Sequence, residues 1–320
     1  MNSIIIDGLA FALPLFIIAI GGIYSERSGI TNLALEGFLG FGSFAGAATV
    51  AIVTKGQIAG MELQVFMIAL IFSMLGAAIF AMLHALLCIP FKANQVISGV
   101  VINILSVALT AFFTSQINSM LFGKPTNKFD LGVCGKFTVP GISDIPVIGA
   151  IFTNVYFYEP IIIVVALFAS YVLYKTRFGL RLRACGDNPH AVDAAGADVS
   201  KTRFIAVMIS GALSGLGGIC FAYSISTSFS PSIYAGYGFL AIAALIFGNW
   251  KIGPTLLACL FFGLARAAGY KLAQVLGIAS TFSDIIMIMP YVLTLLLLMF
   301  FSSSNRAPRA LGEIYDKGKR

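Results

Sequence analysis

Residues 204–226 read FIAVMISGALSGLGGICFAYSIS and contain no charged side chain. About 20 consecutive apolar residues allow a helix to cross the hydrocarbon core of a bilayer. Further apolar blocks lie on both sides of this one, so the sequence predicts an all-α, polytopic transmembrane helical bundle of about nine spans. The blocks are residues 4–24, 30–53, 61–91, 93–117, 159–175, 204–226, 232–250, 252–270 and 284–303.

The overall composition agrees with a membrane protein. Hydrophobic residues make up 59% of the chain and charged residues 10%, whereas soluble domains carry about 25% charged residues. The blocks near residues 40, 100 and 240 are rich in Gly, Ser and Asn, so we expect one of them to be broken or re-entrant and the count to lie between eight and ten. The five scattered cysteines are expected to be apolar packing residues, and the two histidines are too far apart for a metal cluster.

The basic residues predict how the chain lies in the membrane. If the loop 176–203 is cytoplasmic, 14 of the 20 Lys and Arg residues fall on the inner side, as the positive-inside rule requires. The N-terminus is then outside and the C-terminus cytoplasmic, which requires an odd number of spans. Residues 1–305 form a single transmembrane domain with an outer loop at 118–158, where we expect a short surface helix, and residues 306–320 form a basic cytoplasmic tail. No run of basic residues with interleaved aromatics indicates nucleic-acid binding.

The inner loop contains a sequence typical of a short capped helix, ACGDNPHAVDAAGA at residues 184–197. Asp187 or Asn188 suits the N-cap, Pro189 the first helical position and Gly196 the C-cap. A helix of about two turns is unstable alone in water, so a partner surface must hold it. Two interpretations are open: an amphipathic stretch on the lipid headgroups, or a docking element for a soluble motor. Docking would use a face of small residues, Ala191, Ala194 and Ala195.

Two polar stripes predict a path through the bundle. Polar and small residues recur at helical spacing in blocks 30–53 and 93–117, which places them on one face of each helix. Such residues usually face a bundle interior or a cavity, so facing stripes predict contact with a hydroxylated solute. The alternative is that they tie helices together, and Glu36 then bonds a neighbouring backbone or Arg27. The predicted path residues are Asn32, Glu36, Gln95, Asn103, Ser106 and Thr110, with Gly99 and Thr114 on the same face of the second block.

The block 204–226 has a different pattern. Ser210, Ser214 and Gly218 recur every four residues, as do Gly211 and Gly215. This small-xxx-small spacing favours close helix packing.

Motifs for catalysis or ATP binding are missing from the sequence. There is no Gly-rich phosphate loop followed by Lys and Ser or Thr, no HExxH and no GxSxG. We therefore predict a translocation subunit with no catalytic residues and no metal ligands, and not an enzyme. An ion-coupled secondary transporter with Glu36 as proton carrier is an alternative, and a membrane-embedded enzyme is a second one.

Three stretches resemble the permeases of ABC importers of the ribose, branched-chain amino acid and nucleoside type. Residues 24–37, YSERSGITNLALEG, are similar to a segment of the nucleoside and simple-sugar branch. Residues 176–189, TRFGLRLRACGDNP, are similar to the family's cytoplasmic loop, and residues 237–243, YGFLAIA, to its second-half span. The resemblance covers nearly the whole chain. Residues 139–149 look like the smaller permease of nucleoside importers.

The resemblance implies a function and a set of partners. A second, larger permease would complete the pore, a cytoplasmic ATPase would hold ATP–Mg, and an extracytoplasmic lipoprotein would deliver the solute; this chain would bind no cofactor itself. We expect a multi-pass protein of the cell (cytoplasmic or inner) membrane that moves a nucleoside by alternating access, with a simple sugar or ribose as the alternative. The residues expected to couple to the ATPase are Arg183, Gly186, Asn188, Pro189, Ala191, Ala194 and Gly196.

Overall fold

A computed structural model describes residues 2–143, 145, 148–275, 277, 292 and 306–318. Within these residues, seven helices are long and apolar enough to cross a membrane. They are α1 (Asn2–Arg27), α2 (Leu35–Thr54), α3 (Glu62–Cys88), α4 (Gln95–Phe122), α5 (Tyr158–Lys175), α8 (Val199–Ile225) and α10 (Ile252–Val275). Three shorter helices lie between them, α6 (Arg177–Asp187), α7 (Pro189–Ala194) and α9 (Tyr237–Phe247).

Seven of the nine predicted blocks correspond to the seven long helices. The block 232–250 contains only α9, whose 11 residues span about 16 Å, roughly half of the hydrocarbon core. The interrupted helix expected in one of the three polar blocks is therefore found here. The block 284–303 lies outside the described residues apart from Val292, so the count of nine stays a prediction, as does the orientation.

Helices α1 and α8 form the centre of the bundle, and α8 packs against α1, α2 and α3. The close approach of α8 to α3 depends on residues without side-chain bulk. A Cβ atom at Gly211 or Gly215 would collide with the α3 backbone at Ala77 or Ser73. The Ser73 hydroxyl also donates a hydrogen bond to the Gly215 carbonyl. The packing role predicted for this small-residue face is confirmed.

The outer faces of α3, α4, α5 and α10 are apolar and exposed. Ile104 on α4 is 66% exposed and Leu167 on α5 is also 66% exposed, because no other element of the described chain covers them. In a bilayer such faces meet lipid or another transmembrane chain. The five cysteines are buried and free, as expected of packing residues.

One end of the bundle collects the segments predicted to be cytoplasmic. Arg27 at the end of α1 donates from Nε to the Trp250 carbonyl, at 3.1 Å. The amide of Ala310 donates to the Gly186 carbonyl at 2.8 Å. We call this the basic end, and the shared location of these segments agrees with the predicted topology.

The opposite end carries short strands that the sequence did not indicate. β1 (Phe129–Asp130) pairs antiparallel with β4 (Ser228–Phe229), and β2 (Lys136–Phe137) pairs with β3 (Val155–Tyr156). A 3-10 helix covers Ile148–Phe152, within the predicted outer loop. The β1–β4 pair joins the outer loop to the segment after α8, and the β2–β3 pair lies within the loop itself.

Candidate translocation path and coupling surface

The segment between α1 and α2, residues 28–34, is irregular yet enters the interior of the bundle. Ser28 and Asn32 are fully buried. The Asn32 amide donates to the Ser210 hydroxyl at 2.8 Å, and Ser210 lies eleven residues, about 16 Å, from the first residue of α8. Irregular backbone inside a membrane protein must find hydrogen-bond partners in neighbouring elements. We call residues 28–34 the linker.

The polar stripe of α4 supplies many of those partners. Asn103 accepts from the Gly37 amide at 2.7 Å and donates to the Leu33 carbonyl at 2.8 Å. Ser106 donates to the Gly37 carbonyl at 2.8 Å. This face of α4 therefore satisfies the end of the linker and the first turn of α2.

The remaining members of the stripe are less uniform. Gln95 accepts from the Thr31 amide through Oε1 at 2.7 Å, whereas Thr110 donates to the Val107 carbonyl of its own helix. The Gln95 Nε2 and Thr114 Oγ1 atoms are buried without a hydrogen-bond partner among the described residues. The α4 stripe therefore binds main-chain groups of the linker and of α2, whereas the side chains of Asn32 and Glu36 bond Ser210 and the start of α9 instead. Contact of these side chains with a solute stays a prediction.

Glu36 caps α9. Its Oε1 accepts from the Gly236 amide and its Oε2 from the Gly238 amide, each at 2.6 Å. A carboxylate at a helix N-terminus satisfies free amides and is favoured by the helix dipole. Of the structural alternatives for Glu36, the backbone partner is confirmed and the pairing with Arg27 is wrong.

The other end of α9 is also held, by residues that the sequence did not single out. Trp250, the single tryptophan of the chain, donates from Nε1 to the buried Glu26 carboxylate. Asn249 and Trp250 both adopt positive φ, 53° and 54°, which turns the chain sharply into α10. The available signal in the sequence was the single tryptophan at the end of an apolar block.

The inner loop contains two helices, so the prediction of a single short helix is corrected. Thr176 caps α6 by accepting from the Gly179 amide at 3.2 Å. Asn188 caps α7 by accepting from the Ala191 amide at 3.1 Å, and Pro189 occupies its first turn. Gly196 follows α7 with φ +79°. The prediction of Asn188 as N-cap is confirmed, whereas the C-cap is Ala195 and Gly196 is the residue after it.

The predicted coupling residues divide into two groups. Asn188, Ala191, Ala194 and Gly196 are exposed, so the small-residue face of α7 is open to a partner. Pro189 and Gly186 are instead buried. A Cβ atom at Gly186 would collide with the Arg27 carbonyl, and the Arg183 guanidinium donates back to the Gly179 carbonyl at 3.3 Å. The buried group positions the loop instead of presenting a surface.

Comparison with known proteins places the chain. The family of permease components of the branched-chain amino acid transport system matches residues 4–301. The chain belongs to this family. The chain is 39% identical to the guanosine ABC transporter permease protein NupQ of Bacillus subtilis, over 99% of this chain and 98% of the relative. It is 38% identical to the nucleoside ABC transporter permease protein NupC of Lactococcus lactis, over 100% and 98%.

The guanosine ABC transporter permease protein NupP of Bacillus subtilis is more distant, at 24% identity over 92% of this chain and 80% of the relative. NupP and NupQ therefore carry the name of the same transporter in one organism. No solved structure matches the chain.

Within this branched-chain-type permease, sequence reasoning missed a second feature of the basic end. In the sequence Arg203 is only one of several basic residues near α7, but its side chain is buried, with 2% exposed. Residues 306–320 were expected to form a basic cytoplasmic tail; their described part, 306–318, contacts the inner loop at Gly186. The signal in the sequence was an arginine directly before the charge-free block 204–226.

Proposed function

We propose that this permease is the membrane-spanning subunit of an ATP-binding-cassette importer that moves a nucleoside into the cell. A second, larger permease completes the path, a cytoplasmic ATPase binds ATP–Mg, and a lipoprotein delivers the solute from outside. The observation that carries the proposal is identity of 38–39% over essentially the whole chain with permeases named for guanosine and nucleoside transport. NupP, a second permease of the guanosine transporter, supports the heteromeric arrangement.

The geometry of the inner loop supports coupling to an ATPase. α7 has only six residues, too few to be stable without contacts, and its exposed side consists of Ala191, Ala194 and the Asn188 cap. Small side chains allow a partner backbone to approach closely. A movement of the ATPase would then displace α7 as a unit, and the two permeases would rock around the path between them.

The position of the linker supports a mechanical connection between the inner loop and the path. It joins α1 to α2 and reaches Ser210 and Asn103, deep in the bundle. When the inner loop moves, the hydrogen bonds between the α4 stripe and the linker would change partners. The Gln95 Nε2 and Thr114 Oγ1 atoms, which have no hydrogen-bond partner within the part of the chain that the structure describes, are suited to meet nucleoside hydroxyls during that exchange.

The test is uptake of radiolabelled guanosine, adenosine and ribose by cells that express the complete importer and lack other nucleoside carriers. A variant with Asn188→Gly and Pro189→Gly loses the cap and the preset first turn of α7. We expect nucleoside uptake by the wild type and at least about a tenfold loss in the variant, equivalent to 1.4 kcal/mol of coupling.

The matched control is Lys124→Gly with Pro125→Gly, an X-Pro pair in the loop at the opposite end, which should transport at the wild-type rate. Insertion is checked by membrane fractionation. Normal uptake by the α7 variant would contradict the coupling assignment and favour an ion-coupled transporter. Uptake of ribose alone would keep the importer but replace the nucleoside with a sugar.

A further inference from the structure

Arg203 joins three segments that are distant in sequence. Its guanidinium donates to the carbonyls of Ser28 at 3.0 Å, Cys185 at 3.4 Å and Glu313 at 3.1 Å. These carbonyls belong to the linker, to α6 and to the C-terminal segment. Arginine is suited to this task because its planar fork presents five donors in fixed directions.

Two main-chain hydrogen bonds reinforce the junction. The Ala310 amide donates to the Gly186 carbonyl at 2.8 Å, and the Gly312 amide donates to the Gly29 carbonyl at 3.0 Å. The three backbones approach closely here. A Cβ atom at Gly29 would collide with the Arg203 guanidinium, and Gly29 also has φ +96°. The C-terminal segment therefore lies between the linker and α6 and is bonded to both.

Beyond Gly312 the C-terminal segment runs along α7. Tyr315 packs on a small apolar cluster of Cys185, Val192 and Val199, and its ring lies 5.3 Å from that of His190. These contacts cover the inward side of α7 and leave its small-residue face open.

Two ion pairs extend these contacts. Lys317 lies 3.6 Å from Asp193 of α7, and Asp316 lies 3.1 Å from Lys92 in the turn between α3 and α4. Surface ion pairs are weak individually, so the main-chain bonds and Arg203 contribute most of the attachment. The ion pairs add contacts with α7 and with the α3–α4 turn.

We propose that residues 306–318 form a strap that is part of the ATPase-coupling surface, and that Arg203 is the positioning residue that joins the strap and α6 to the linker. This inference rests on the proposed function. The ATPase then contacts a composite surface of α7, the α3–α4 turn and the strap. Movement of that surface reaches the linker through Arg203 and main-chain bonds, instead of through α6 alone.

The test measures nucleoside uptake and ATP hydrolysis in the same proteoliposomes that contain the complete importer and its binding protein. Arg203→Lys keeps the charge but loses the fork, and a chain that ends after Ala307 lacks the strap. We expect each variant to hydrolyse at least about fivefold more ATP per nucleoside moved, the lower range of coupling between sites, or to lose the ATPase on co-purification. The matched control is Arg177→Lys, at an exposed arginine of α6, which should keep the wild-type ratio.

An unchanged ratio in inserted variants that retain the ATPase overturns the strap, even when less permease is inserted, because a merely structural segment lowers yield and not stoichiometry. If neither variant is inserted, the pair of Lys92→Asp and Asp316→Lys decides. Each single change puts two like charges where the ion pair stood, so it repels the strap from the α3–α4 turn instead of merely removing a weak bond. Each should therefore raise the ratio and the double change should restore it; equal ratios in all proteins overturn the proposal. A wild-type importer that moves no nucleoside contradicts the proposed function instead, whereas wild-type transport with unchanged variants contradicts the strap alone.

Discussion

The Glu36 carboxylate of α2 holds the amino terminus of α9 through the Gly238 amide, with 2.6 Å between Oε2 and the nitrogen. The second oxygen of the same carboxylate binds the preceding free amide, that of Gly236. Glu36 is thus the N-terminal anchor of a half-length helix, although the two elements are separated by 200 residues in the chain.

Replacing Glu36 with Gln should destabilise the permease, because an amide offers one acceptor oxygen where the carboxylate offers two charged ones. We expect a loss of about 1.5–3 kcal/mol, the range for a hydrogen bond to a charged group, measured by thermal unfolding of the purified protein. Asp130→Asn, at an exposed acid of β1, is the control and should unfold like the wild type. A Glu36→Gln protein of normal stability whose uptake no longer depends on a proton gradient would revive the proton-carrier role.

The hydrogen bonds of Asn103 should contribute strongly to the packing of α4 against the linker and α2. Asn103→Leu leaves the Gly37 amide and the Leu33 carbonyl unpaired, at about 1–3 kcal/mol for each buried group. Asn103→Asp still accepts from Gly37 but cannot donate to Leu33, so it should unfold between the wild type and the Leu variant. Equal stability of all three proteins would show that water or other groups replace these bonds.

Thr114→Val separates a structural role from solute contact. The Thr114 hydroxyl has no partner among the described residues, and an unpaired buried hydroxyl is unfavourable, so the variant should be as stable as the wild type or more so. If the stripe meets the solute, the KM for nucleoside uptake rises while stability is kept. An unchanged KM would remove Thr114 from the path.

Gly215→Val should prevent α8 from packing against α3. The added side chain meets the Ser73 carbonyl and the Ala77 methyl group, and overpacking of this kind costs about 1–3 kcal/mol or more. Gly253→Ala is the control, because a Cβ atom there meets nothing within 4 Å. Protease resistance and yield of inserted protein report the difference, and equal yields would contradict the close helix contact.

Cys185 reports whether the strap covers the coupling loop. Burial raises the pKa of its thiol to about 11, so the reactive thiolate is scarce at neutral pH and becomes abundant only as the pH approaches that value. In a chain that keeps Cys185 alone, maleimide labelling at neutral pH should be slow, and at least about tenfold faster when the chain ends after Ala307.

The matched control for that labelling keeps Cys134 alone, at the opposite end. Burial also raises the pKa of Cys134 to about 11, but no strap residue lies near it, so truncation should leave its rate unchanged. Equal acceleration at both cysteines would indicate general unfolding instead of uncovering.

Much of this architecture follows from local patterns. Apolar length predicts the seven long helices, and the four-residue spacing around Gly215 predicts close packing. The order Asn188, Pro189 predicts the start of α7, and Gly196 predicts its end to within one residue. Each of these features depends on residues within a few turns of one another, where periodicity and capping act directly.

The remaining features depend on partners far apart in the chain. A stripe with Asn103 has the same spacing whether it faces a solute or the backbone of an irregular segment, and only the position of the linker decides between them. The three carbonyls that Arg203 binds are main-chain groups, which every residue possesses, so composition carries no mark of them. α6 was missed because its apolar positions alternate with arginines.

The short length of α9 has a consequence for how related sequences vary. A helix that begins in the interior exposes amides where water cannot reach them. The start of α9 at Gly236 therefore requires an acceptor such as the acid at position 36. A relative that extends α9 to full length is free to lose that acid, and one that loses the acid alone must supply another acceptor. Across the family, positions 36 and 236–238 should therefore covary.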